Sequence, residues 1–65
     1  MFSLAQQIEE VEREIRLREE VYPRWVASGK MRQSVADYHI ARMKAVLATL
    51  IALDVKRMGP LGDEA

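Results

Sequence analysis

One interruption, Val21-Tyr22-Pro23-Arg24-Trp25-Val26-Ala27-Ser28-Gly29-Lys30-Met31, separates two long stretches patterned for helix. It holds the only Trp and one of the two Tyr of the chain. Proline removes one backbone donor and disfavours helical geometry at the residue before it, and glycine tolerates the left-handed conformation in which helices commonly end. A Pro between aromatics, followed closely by a Gly, therefore reads as a packed corner. Two helices joined at such a corner make an all-α antiparallel hairpin, expected as a single domain over residues 1–58.

The first helix is expected over about 3–28, kinked near Pro23. Ser3 followed by Gln6 has the form of a capping box, in which each side chain accepts from the other residue's amide. Leu4, Ile8, Val11 and Ile15 are spaced as one face of a helix, and the stripe continues through Arg18 to Tyr22 and Trp25. The aliphatic stem of Arg18 is expected to lie along the seam while its guanidinium reaches solvent or a carboxylate. Opposite the seam, Glu9 and Arg13, Glu12 and Arg16, Glu14 and Arg18, and Glu20 and Arg24 place an acid four residues before a base, the favourable orientation for helix support. They read as a solvated, self-paired face. Leu17 and Val21 widen the apolar surface beyond what one neighbouring helix would cover.

The chain is expected to reverse over about 29–33, with Gly29 as the C-terminal cap. The second helix is expected over about 34–58, with Ser34 and Asp37 as a capping pair and a start nearer Arg32 as the alternative. Ala36, Ile40, Met43, Leu47 and Leu50 repeat at helical spacing, flanked by Val46, Leu53 and Ile51. Lys56 and Arg57 suit the negative end of the helix, Gly59 and Pro60 stop it, and 59–65 reads as a frayed, flexible tail.

At 65 residues the chain can bury only about 60% of the surface its unfolded form exposes, so its own core is marginal. Small folds of this size use disulfides, a structural metal or self-association. With no Cys and one His, self-association is the staple that remains. The core positions Leu4, Ile8, Val11, Ile15, Ile40, Met43, Leu47 and Leu50 are accordingly expected to serve a four-helix bundle of two hairpins, with higher assembly as the alternative. The longest uncharged run, Ala45 to Leu53, has nine residues, far short of the roughly 20 that cross a bilayer. The start lacks the basic and apolar regions of a signal peptide, so retention of the N-terminus and a cytoplasmic, membrane-free protein are expected.

Ten basic residues balance ten acidic ones. Through Ala27, six Glu face four Arg, whereas from Ser28 to Met58 six basic residues face only Asp37 and Asp54. Helices of opposite charge attract side by side, modestly, because exposed ion pairs contribute about 0 to 1 kcal/mol each.

No arrangement has the form of an active site, and no catalytic, cofactor or metal residue is assigned. His39 has no second ligand at helical spacing and reads as a partly exposed or interface side chain. Ser3, Ser28 and Ser34 stand where caps and turns favour Ser. The candidate partner-binding surface is Arg18, Tyr22, Arg24, Trp25, Lys30 and Arg32, since aromatics and Arg dominate binding hot spots. The competing reading is that Tyr22 and Trp25 plug the end of the hairpin. A nucleic-acid role would recruit Arg24, Lys30, Arg32, Arg42 and Lys44, against the neutrality of the whole chain.

The run Glu12 to Arg18 leading into Val21-Tyr22-Pro23-Arg24-Trp25-Val26, then Gly29-Lys30-Met31 and Ile40 to Leu47, resembles short helical proteins encoded in bacteriophages and prophages. The resemblance covers roughly residues 9–50, is most specific at the Tyr-Pro-Arg-Trp segment, and implies a genomic setting without assigning site residues. Arg32 stands where a Thr-like cap would be expected. The expected function is a non-enzymatic interaction protein, an adaptor or modulator that binds itself and an unidentified host or phage protein. A small nucleic-acid-associated factor and a purely structural oligomerising element are the alternatives.

Overall fold

The computed structural model describes residues 1–58, so the expected tail over 59–65 lies outside them. It contains two helices, α1 (Leu4–Ala27) and α2 (Gln33–Met58), and no strand among the described residues. No helix among these residues is long and apolar enough to cross a membrane.

The start of α1 follows from side-chain chemistry. Ser3 is extended and lies just outside the helix as its cap. Its Oγ accepts from the Gln6 amide at 3.0 Å, and Gln6 Oε1 accepts from the Ser3 amide at 2.9 Å. Two amides that would otherwise lack partners are thereby satisfied reciprocally.

The helix continues through Pro23 and ends at Ala27. A ring nitrogen at position 23 cannot donate to the Glu19 carbonyl, but Glu19 is exposed and water can take that acceptor. The end of α1 is a Schellman motif. Gly29, at φ 82°, donates to the Val26 carbonyl at 3.1 Å, and Lys30 donates to the Trp25 carbonyl at 2.8 Å. The Met31 amide and the Ser28 hydroxyl also donate to Trp25, at 3.2 and 3.1 Å. The reversal is thus organised on one carbonyl.

The second helix begins one residue before the expected Ser34, and the Ser34 and Asp37 capping pair does not form. The Arg32 carbonyl accepts from the Val35 and Ala36 amides at 3.1 and 3.0 Å, which places Arg32 at the cap and Ser34 inside the first turn. Asp37 instead accepts from Gln33 Nε2 at 2.9 Å. The alternative start near Arg32 is the observed one.

The hairpin is antiparallel, with Glu19 of α1 reaching Lys44 of α2 at 3.4 Å. Leu4, Ile8, Val11, Ile15, Arg18 and Tyr22 line the inward side of α1, and Ala36, Ile40, Met43, Leu47 and Leu50 that of α2; all are buried or half-buried. Among the described residues only Ile15 and Ala36 are buried outright, at 6% and 3% exposure, and no large side chain is fully enclosed. The two seams therefore face each other but are shallow in depth, because a pair of helices encloses only the line along which they touch. At the corner Val26 is half-buried while Trp25 is 42% exposed, so the seam ends on Val26 and the expected inward Trp25 is corrected.

Candidate interaction surface

The two flanks of the hairpin differ in chemistry. One carries the Glu19 and Lys44 ion pair beside Glu12 and Arg16, and nearer the corner Asp37 and Gln33 beside Pro23. The other has a shallow groove between the helices, lined by Arg18 and Tyr22 from α1 and His39, Arg42, Met43 and Val46 from α2. Arg18 and Tyr22 also line a second depression with Leu17, Val21 and Trp25, so the apolar surface is continuous across them. Leu17, Val21 and Trp25 follow each other at intervals of four, and Val46 and Leu53 at seven, the spacings that keep side chains on one stripe of a helix. Leu17 is 43%, Val46 47% and Leu53 49% exposed.

The centre of this flank is held in place. Arg18 Nη1 donates to the Glu14 carboxylate and, at 3.3 Å, to the Glu14 carbonyl. The Glu14 hydrogen bond raises the Arg18 pKa above its ordinary value; burial works against that, and the neighbouring Tyr22 adds to it. The charge of Arg18 is therefore permanent across the physiological range, with its stem on the seam and its head on Glu14. Tyr22 and Trp25 stack as tilted rings with centroids 5.8 Å apart. On α2, the Arg42 guanidinium lies 5.3 Å over the Tyr38 ring, whose neighbour His39 meets it edge-on at 5.6 Å.

The six candidate partner-binding residues thus divide into two groups. Arg18, Tyr22 and Trp25 share the apolar flank. Arg24 is exposed and holds Glu20 at 3.4 Å, while Lys30 and Arg32 stand in the turn and join no ion pair among the described residues. The expected basic strip is broken, since Arg42 lines the apolar flank and Lys44 the polar one. Of the expected pairs along α1, Glu14 with Arg18 and Glu20 with Arg24 form. Arg13 takes Glu10 at 3.2 Å in place of Glu9, and Arg16 has no ion-pair partner among the described residues. The cross-helix pair of Glu19 and Lys44 had no sequence signal, because it depends on the register the turn imposes. No group of three or more metal-ligating side chains gathers among the described residues.

Comparison of the chain with protein-family models, curated proteins and solved structures yields no match.

Proposed function

We propose that this chain is a small, non-enzymatic protein–protein interaction module that pairs with a second copy as a four-helix bundle and presents its cationic corner to another protein. One observation carries the reading: among the described residues no large side chain is fully enclosed, while Leu17, Trp25, Val46 and Leu53, with half-buried Val21, form an accessible apolar flank. Burial of apolar surface is the dominant favourable term in both folding and association, and a hairpin that obtains little of it internally can obtain more from a partner. Pairing would cover the flank and leave Arg24, Lys30 and Arg32 at the corner. Those residues suit an acidic patch on a host or phage protein, in keeping with the resemblance to phage-encoded helical proteins and with a cytoplasmic setting. The nucleic-acid reading is weakened by the placement of Arg42 and Lys44 on opposite flanks, which leaves only the corner cations to meet phosphates.

The test is capture of a defined partner from a phage-carrying bacterial host by tagged wild-type protein and by an Arg24→Ala, Lys30→Ala, Arg32→Ala variant. The proposal predicts one protein retained by the wild type and lost by a variant that is still helical and dimeric. Equal retention by both would overturn the assignment of the corner. A salt-sensitive shift of DNA or RNA, lost in the same variant, would replace it with the nucleic-acid reading.

A further inference from the structure

The accessible flank also carries information about how a second copy would lie on it, an inference that rests on the self-association proposed above. Ile15, Lys44 and Leu47 line a common groove, so positions near 15 on α1 and 45 on α2 lie at the same level, midway along the hairpin. They divide it into a corner half and an open half. Residues 15–45 hold seven basic and three acidic residues, net plus four. Residues 1–14 and 46–58 hold three basic and five acidic residues, net minus two. The hairpin is therefore charged oppositely along its length. Two copies laid corner to corner would bring the positive halves together, whereas two copies laid in opposite directions bring each corner half over the open half of the other.

We propose that the second copy docks on the apolar flank in the reversed direction, related by a two-fold axis that crosses the helices near Leu17 and Val46. A two-fold axis perpendicular to the helices sets each helix against its own copy running antiparallel, and residues at the axis meet themselves. The midpoints of α1 and α2 fall between residues 15 and 16 and between residues 45 and 46. Leu17 and Val46, both exposed, are the apolar flank residues nearest those points, and an apolar side chain suits self-contact better than a charge would. One turn to either side of Leu17 stand Glu14 and the pair Glu20 and Val21, so the same axis sets the Glu14 turn of one copy beside the Glu20 and Val21 turn of the other, while Arg18 of each copy stays on its own Glu14. Direction is thus set by charge and adhesion by the apolar stripe, while the flank of Glu19 and Lys44 stays in water.

The chain has no Cys, so a single introduced thiol gives one label position per copy. Ser34, exposed in the first turn of α2, marks the corner. Pulsed electron spin resonance on spin-labelled Ser34→Cys is expected to give an inter-copy distance of about 30 to 40 Å, a helix length, because the corners lie at opposite ends. A distance under about 20 Å would mean corner-to-corner packing and would overturn the direction while leaving self-association intact. Sedimentation of Val46→Glu should show at least a roughly 100-fold weaker dimer, since a carboxylate facing its own copy is both desolvated and repelled. Ala41→Glu, on the polar flank, should leave the dimer unchanged. The reverse pattern would overturn the choice of flank, and a wild-type chain that is monomeric throughout would overturn the self-association on which the proposal rests.

Discussion

Replacing Gly29 by Ala isolates the conformational cost of the corner from every other contribution. Gly29 sits at φ 82°, and a Cβ built there meets no atom within 4 Å, so the substitution creates no clash and removes no contact. What remains is backbone. Holding an L-residue in the left-handed region costs about 1 to 2 kcal/mol. Ala also has fewer unfolded conformations to lose than Gly, which returns about 0.4 to 1 kcal/mol. The expected net loss is about 1 kcal/mol per chain, or roughly 4 to 8 °C in Tm for a domain of this size. Gly29→Asn should lose less than Gly29→Ala, because Asn tolerates the left-handed region. The assay is urea or thermal unfolding followed by far-ultraviolet circular dichroism at fixed protein concentration. Native helix content should be unchanged, because the hydrogen bonds from residues 29 and 30 to Val26 and Trp25 use backbone atoms that Ala retains. A loss above about 3 kcal/mol would mean that the corner is sterically closed, and no loss at all would mean that the Schellman motif does not form in solution.

Three further outcomes follow from the same geometry. Ser3→Ala removes the acceptor for the Gln6 amide and should cost about 1 kcal/mol, read as faster hydrogen exchange at Gln6 and Gln7 with the middle of α1 unaffected. Ile15→Ala, at the most buried large side chain, should cost about 2 to 4 kcal/mol in denaturant unfolding, well above the same change at exposed Ile51. A double-mutant cycle on Glu19→Gln and Lys44→Gln should give a coupling below about 1 kcal/mol that fades at high salt, since both side chains are about half exposed.

The local features were legible because their causes are local. Ser3 with Gln6 specifies a capping box by spacing alone, and Gly29 specifies the end of α1 because only the left-handed conformation closes the Schellman bonds. The facing seams of Ile15 and Leu47 followed from helical period. Where period permits two answers, the sequence could not choose: Tyr22 is followed by apolar residues at both three and four positions, and Val26 rather than Trp25 took the inward place. Arg13 likewise reached Glu10, three residues back, where Glu9 stands four back, both being neighbours on a helix surface. The pairing of Glu19 with Lys44 and the division of Arg42 from Lys44 between flanks depend on the angular register of two helices. That register is fixed by a short turn, from Ser28 to Arg32, and by packing along its whole length, which no single residue encodes. Neither does composition show depth of burial: a seam that reads as a core is only half-covered until something packs on its other side.

That incompleteness is the central claim, and sedimentation equilibrium of the full chain over a wide concentration range tests it most directly. A self-associating hairpin should have a mass of about twice 7.5 kDa at micromolar concentration, with dilution lowering both mass and thermal stability together. A single species of 7.5 kDa, fully helical and unfolding at a temperature independent of concentration, would contradict it.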